Sequence, residues 1–355
     1  MRILHVDTEK GFRGGEQQLL WLVEGLIKNG IDSAVATVKD ELYNRCRKKG
    51  IKTVRLTGNQ LTDWLRLAKE GKNYDIIHAH TAKALNISAL AKKINKKPLI
   101  YTRRVDYKPK NNIFTKFKYR LSDVVVCVSE AVKDTLVGFV DSKKLRVIYS
   151  ITDPKLEDSV DLKRVEKIRN SYKGKFIVGT AAALTKQKNI PNLIEAASMV
   201  LKQAKDVVFI VAGEGNLKEQ LEKQIKSLSI EDRFFLIGFK RDIQNYIKAF
   251  DLFVLASDNE GFSGAILNAM ILKIPVIVTD AGGAREIVED NKSGFIVRKR
   301  DSKQLADAIL KLYREPNLRD RFVDNAYKIV KEKFSVKKMV ESYIIVYNEL
   351  MEVKK

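Results

Sequence analysis

Residues 256–283 read ASDNEGFSGAILNAMILKIPVIVTDAGG, a strand end, an acid-glycine turn, a helix, a second strand and a glycine pair in that order. Just upstream, residues 252–255 (LFVL) form the short apolar run of a strand buried on both faces. The chain then turns through Asp258, Asn259, Glu260 and Gly261, and a helix is expected from about Phe262. The first amides of a helix have no intrahelical acceptor, so a helix N-terminus attracts anions. Gly261, Ser263, Gly264 and Ala265 are small enough to let a diphosphate reach those amides. Glu260 would repel a phosphate there unless its carboxylate serves another group, and sugar hydroxyls are that group's natural chemistry.

The same alternation runs outward through the chain. Strands are expected at 2–7, 33–38, 52–56, 75–79, 99–102, 123–128 and 146–149, then at 176–180, 207–212, 234–237, 252–255, 276–278 and 295–297. Helical patterns separate them, which specifies parallel sheets covered by helices. A chain of 355 residues exceeds one ordinary core, and 45% hydrophobic content suffices for two. The polar stretch 150–161 (SITDPKLEDSVD) reads as a linker, giving domains 1–155 and 156–335. The expected fold class is α/β, with two Rossmann-like doubly wound parallel-sheet domains facing a central cleft, where ligands meet the carboxyl ends of the strands.

Composition narrows the partners. The formal charge of +22 favours an anionic one. Nucleic acid is not expected, because no helix-turn-helix, zinc or aromatic RNA-binding signature accompanies the charge. Cys46 and Cys127 lie far apart and only His5, His78 and His80 are present, so no metal or other cofactor is expected. No apolar run approaches the roughly 18 residues of a membrane span, and the N-terminus leads straight into a strand. A cytoplasmic protein is therefore expected. Residues 103–120 (RRVDYKPKNNIFTKFKYR) mix cations with Tyr107, Phe114, Phe117 and Tyr119, as a segment lying on an anionic membrane surface would, or as a solvated helix with core aromatics would.

Other loops carry chemistry by position. Gly14 and Gly15 open a helix after the first strand, followed by Glu16 and Gln17; a glycine pair there binds phosphate or makes only a tight turn. Gly213-Glu214-Gly215 and Gly238-Phe239 follow two later strands, Phe239 serving as a base contact or as core. His78 and His80 alternate onto one side of a strand end, the deeper His78 reading as a structural histidine.

At these positions the chain resembles the retaining nucleotide-sugar glycosyltransferases of glycosyltransferase family 4, whose architecture is called GT-B. Glu260-Gly261-Phe262, then Pro275 to Thr279 and Gly282-Gly283, carry the resemblance, which spans nearly the whole chain. It implies that Glu260 contacts the donor sugar, that the amides of Gly261, Phe262, Ser263 and Gly264 hold the diphosphate, and that residue 268 takes the ribose. The family has an acid there and this chain has Asn268. The stretch 179–189 is similar to the family's Gly-x-x-x-Arg-Leu-x-x-x-Lys, in which the Arg and Lys clamp the leaving diphosphate; Lys188 matches the lysine, and Ala183 replaces the arginine. Lys186, Arg103 or Arg104 would then supply the missing charge. The resemblance further implies Gly15 and Gly213 against the donor, Glu16 and Gln17 on the acceptor side with Arg103 and Asp106, His80 at the cleft edge, and residues 336–355 completing the first domain. Arg104 stands where many relatives have histidine; it cannot be a base, but it can grip a carboxylate or phosphate with two bonds.

The expected activity is thus metal-independent, retaining transfer from a nucleoside-diphosphate sugar to a cell-surface glycan or glycolipid, such as lipopolysaccharide or capsule, by a protein peripheral on the cytoplasmic membrane face. Lys188, Glu260, His80 and Arg104 are its expected catalytic groups. A nucleotide-sugar epimerase or hydrolase on the same fold, or a non-catalytic nucleotide-sugar-binding protein, are the alternatives.

Overall fold

Parallel pairing explains why the strands are apolar throughout. In the computed structural model, which describes residues 1–12, 14–38 and 40–352, thirteen strands form two all-parallel sheets. Arg13 of the glycine loop and residues 353–355 of the last segment lie outside the described residues. The first sheet holds β1 (Arg2–Val6), β2 (Asp32–Val38), β3 (Lys52–Leu56), β4 (Ile76–Ala79), β5 (Leu99–Arg103), β6 (Val124–Cys127) and β7 (Leu145–Val147), in the order β3-β2-β1-β4-β5-β6-β7. The second holds β8 (Phe176–Ala181), β9 (Val207–Ala212), β10 (Phe234–Leu236), β11 (Leu252–Leu255), β12 (Val276–Thr279) and β13 (Phe295–Val297), in the order β10-β9-β8-β11-β12-β13. Every residue of β4, β11 and β12 is buried, because crossover helices cover both faces.

Each sheet reverses its strand sequence at one place, between β1 and β4 and between β8 and β11. Crossovers leave to opposite faces there, which opens a crevice at the carboxyl ends of the two strands. The chain divides into two compact units, Met1–Ile151 with Val336–Lys355, and Thr152–Ser335. The segment at the division is not an open tether. It carries a 3-10 helix, Pro154–Ser159, whose N-cap Asp153 accepts from the Lys155 amide at 2.9 Å.

Helix Val336–Glu352 belongs to the first unit, and the chemistry that keeps it there is partly polar. Tyr347 meets His78 Nδ1 at 2.8 Å, Thr102 meets His78 Nε2 at 2.7 Å, and Tyr343 meets the Thr102 hydroxyl at 2.9 Å. All four residues are buried, and each gives the next the partner that burial requires. The same helix closes on helix Gly14–Lys28, where a Cβ on Gly25 would stand 2.3 Å from Val340 Cγ2. No helix among the described residues is long and apolar enough to cross a membrane.

Gly25→Ala should therefore lower stability by about 1–3 kcal/mol through overpacking. Combining it with Val340→Ala should recover part of that loss in urea denaturation. Strict additivity of the two changes would show that these helices do not meet at that point.

Candidate active site

In the second unit the reversal between β8 and β11 gathers a largely buried charge pair. Lys188 ends a 3-10 turn, Lys186–Lys188, that follows β8; Glu260 lies in the turn after β11. Lys188 Nζ donates to Glu260 Oε1, with the two side chains 21% and 6% exposed. The Ser257 hydroxyl donates to the same Oε1 at 2.9 Å, and the Thr279 hydroxyl at the end of β12 donates to the Ser257 carbonyl at 2.5 Å. A carboxylate this buried needs such partners, since desolvation without them costs several kcal/mol. The two loops are also tied to each other. The Asp258 amide donates to Gln187 O at 2.8 Å, and Asn189 Nδ2 donates to Asp258 Oδ1 at 2.9 Å. Arg300 closes on the other Asp258 oxygen at 2.7 Å.

Around this pair the backbone comes close enough to exclude side chains. A Cβ on Gly213 would stand 1.9 Å from Ala182 O, and one on Gly283 would stand 2.4 Å from Gly261 O. Helix Gly264–Ile271 begins directly after this turn, with Ser263 as an N-cap whose side chain caps nothing. Gly264 is exposed at that end, Gly261 and Ser263 are buried, and Phe262 packs edge-on against Phe334 at 5.4 Å. One turn into the helix, Asn268 Oδ1 accepts from the Thr152 hydroxyl at 2.7 Å. Lys186 and Ala183 are exposed, and Ala183 brings no charge to the site. Phe239 is 64% exposed, which rules out the core role and leaves its ring in solvent.

The first unit has its own cluster at the reversal between β1 and β4. Arg104, just past β5, lies against Gly15, 3.7 Å from where a Cβ would be. Its Nη1 donates to His80 O at 3.2 Å and its Nη2 reaches His80 Nδ1 at 3.4 Å, while its Nε is buried without a partner. A guanidinium only donates, so His80 Nδ1 accepts and its Nε2–H donates to His5 Nδ1, 3.1 Å away. The sequence reading places His80 at the cleft edge; it is 4% exposed, with both ring nitrogens engaged by His5 and Arg104. The ligand atoms of His5, His78 and His80 lie within 4.8 Å of one another, but both His78 nitrogens already face hydroxyls.

Arg103 is a second correction. It was assigned to the acceptor side, yet it is buried and donates to the Tyr119 hydroxyl at 2.8 Å and to the Tyr107 carbonyl, so its charge serves the fold. Glu16 is buried in the first helical turn, whereas Gln17 and Asp106 are half-buried. Two residues escaped the sequence reading. Gln18 grips Ile151, donating to its carbonyl at 2.5 Å and accepting from its amide at 3.0 Å. Asp7, just past β1, is buried, and burial raises its carboxyl to about 7, with Glu16 adding to the shift and the Glu9 amide and Arg104 opposing it. An acid closing an apolar strand was the signal that could have found it.

Family models match the sequence of both units. Residues 163–329 fit a family model described as glycosyl transferases group 1, and residues 12–156 fit one described as glycosyltransferase family 4. The chain is similar to a poly(ribitol-phosphate) alpha-N-acetylglucosaminyltransferase of Staphylococcus aureus, 30% identical over 197 residues, or 54% of this chain and 40% of that one. The match thus spans less than half the length of that relative. An N-acetyl-alpha-D-glucosaminyl L-malate synthase of Bacillus anthracis is 25% identical over 290 residues, 79% of this chain and 76% of the relative. Among solved structures, Anabaena HepE in complex with UDP superposes with a TM-score of 0.87 at 24% identity, covering 98% of this chain and 100% of that one, a likeness of fold.

The buried histidines have a property that needs no substrate to measure. Burial lowers the His5 imidazole to about 3 and holds His78 and His80 well below their ordinary range. The unfolded chain protonates these rings near 6.5 while the folded chain does not, so stability is lost as pH falls below 6.5 toward the folded values; the raised Asp7 acts in the opposite direction. Wild type should therefore lose more stability than His5→Gln on acidification from pH 6.5 to 5, the difference steepening toward about 1.4 kcal/mol per pH unit. Parallel profiles for the two proteins would mean that His5 titrates normally.

Proposed function

The chain belongs to glycosyltransferase family 4, and on that premise we propose that it transfers a sugar, with retention, from a nucleoside diphosphate to an anionic glycan or glycolipid of the cell envelope. The observation that carries this reading is the Lys188–Glu260 pair at the β8/β11 reversal, beside a glycine turn and a helix N-terminus. Diphosphate and sugar hydroxyls are the two chemistries those groups suit. Without donor, Glu260 keeps Lys188 compensated. With donor, Lys188 turns its charge to the diphosphate and Glu260 accepts from the sugar, while Asn268 faces the ribose and Phe239 the base.

In this reaction the bond from the anomeric carbon to the diphosphate oxygen breaks, and the bond to the acceptor oxygen forms on the same face. The departing phosphate oxygen takes the acceptor's proton. Charge grows on the diphosphate as it leaves, so Lys188, Lys186 and the amides of Gly261 to Gly264 act more strongly on the transition state than on the ground state. No Asp-x-Asp occurs in the chain to clamp a divalent ion, which favours a mechanism without metal.

Support for the acceptor comes from the relatives' names and from Arg104. Poly(ribitol-phosphate) and L-malate are both anionic, and both names specify an alpha-linked sugar. An alpha linkage formed from an alpha-linked donor is retention. In the first unit, Arg104 has a buried Nε without a partner and can take a phosphate or carboxylate on that edge. Gly15, Glu16, Gln17 and Asp106 border the same loops. Envelope acceptors are assembled at membranes, and a peripheral location on the cytoplasmic face follows from that substrate class.

Lys188→Ala should lower turnover tenfold to a thousandfold, about 1.4–4 kcal/mol, with a smaller effect on donor KM. UDP, GDP and ADP sugars, tested with envelope extracts as acceptor, provide the assay. Unchanged turnover would assign the leaving charge to other groups. Donor consumption without any acceptor would favour the hydrolase or epimerase reading, and donor binding with no turnover would favour a binding protein.

A further inference from the structure

Helix Ile113–Leu121 buries only Tyr119. Three of its other large apolar residues face solvent, Ile113 77% and Phe114 81% exposed and Phe117 partly so, while Leu121 is half-buried. Helix Ala82–Asn95 extends the same surface with exposed Leu90 and Ile94. The two helices are fastened together along this edge. Lys92 Nζ donates to Leu121 O at 2.8 Å, Lys118 Nζ donates to Asn86 Oδ1 at 2.9 Å, and Lys93 Nζ lies 5.5 Å from the Phe117 ring centre. A groove of about 680 Å³, sharing Ile113 and Phe117 and lined also by Tyr119, Phe139 and Val140, adjoins it.

Charge around these apolar groups is predominantly positive, although Asp141 lines the groove and Asp123 pairs with Lys92. Residues 82–121 contain Lys83, Lys92, Lys93, Lys96, Lys97, Arg103, Arg104, Lys108, Lys110, Lys116, Lys118 and Arg120 against a single acid, Asp106. A second copy of the chain would set like charges against like, and the lysines that ring the patch are depleted at protein interfaces. Apolar side chains set among lysines are the pattern of a surface that lies in a bilayer interface.

We propose that the face formed by helices Ala82–Asn95 and Ile113–Leu121 docks on an anionic lipid bilayer. Ile113, Phe114 and Phe117 enter the boundary between headgroups and acyl chains, while Lys93, Lys110, Lys116 and Arg120 meet the anionic headgroups. The proposal deepens, and rests on, the envelope-acceptor reading above. It narrows one of the two sequence-based alternatives for residues 103–120, a stretch on a membrane surface. Arg103 is interior, and Lys118 is half-buried on Asn86 with its ammonium shifted down by that burial, so neither faces the lipid. Leu90, Ile94 and Lys93, on a different helix, do.

Two kinds of variant separate the contributions. Co-sedimentation is read with vesicles of phosphatidylcholine alone and with added phosphatidylglycerol, without donor. Wild type should bind the anionic vesicles, and Lys110→Glu with Lys116→Glu should weaken partitioning by about tenfold or more, since each cation near the surface contributes substantially. At about 0.5 M salt, where screening removes most of the charge contribution, the remaining wild-type binding should vanish in Ile113→Ser with Phe114→Ser. Equal binding to neutral and anionic vesicles, no binding, or indifference to both variants would overturn the proposal. So would a wild-type dimer in sedimentation velocity that the serine variant abolishes, which would make the face an interface between copies. Thermal shift with UDP, GDP and ADP sugars in vesicle-free buffer is measured in parallel. Donor binding without vesicle binding sinks the docking face alone, and vesicle binding without donor binding sinks the transferase reading alone.

Discussion

The ion pair between Lys188 and Glu260 is the constraint around which the second unit is arranged. A glutamate 6% exposed is tolerated only because a lysine and a serine hydroxyl both address the same oxygen. Removing either charge from such a pair leaves the other uncompensated, a loss of about 3–5 kcal/mol in comparable buried pairs. Holding the pair requires two loops that are seventy-two residues apart in sequence to keep one register. Asp258, Asn189 and Gln187 supply that tie through backbone and side-chain bonds. The topology makes it possible: β8 and β11 are neighbours at the reversal of the sheet, so their following loops leave from adjacent carboxyl ends.

The first unit repeats the topology with different chemistry. Its reversal point carries three neutral imidazoles, a half-buried arginine and a carboxyl that burial raises to about 7. His80 bonds to His5 and its ring lies 3.9 Å from that of His78, which bonds to Tyr347, so the C-terminal helix reaches the residue that holds Arg104 through packed rings. A change at Tyr347 would thus act on the loop after β4 through His78, with no contact to any ligand.

Much of this was legible in the sequence. Each expected strand is present with ends displaced by two residues at most, because a strand buried on both faces is a plain apolar run whose limits are marked by polar turns. The helix after Glu260 begins two residues later than expected, at Gly264, since Ser263 ahead of it is extended, with φ −97° and ψ 107°. What could not be read was direction. Alternation placed His78 and His80 on one side of β4, and their rings do lie 3.9 Å apart, but it could not say that the side was interior. Arg103 and Arg104 are adjacent in sequence and differ in fate, one buried against Tyr119 and the other half-buried against His80, because strand residues alternate faces where β5 ends. Partners brought from afar, such as Ser257 with Thr279 or Lys93 over the Phe117 ring, leave no local pattern at all.

The central claim is that the turn-and-helix site of the second unit takes a nucleoside diphosphate, and amide hydrogen exchange with and without saturating UDP, GDP or ADP tests it most directly. A ligand that binds the folded state slows local opening where it touches. One of the three nucleotides should protect residues 186–188, 213–215 and 260–268 together, leaving the strands of the first unit unchanged. Protection by none of them, or protection confined to other segments, would contradict the account.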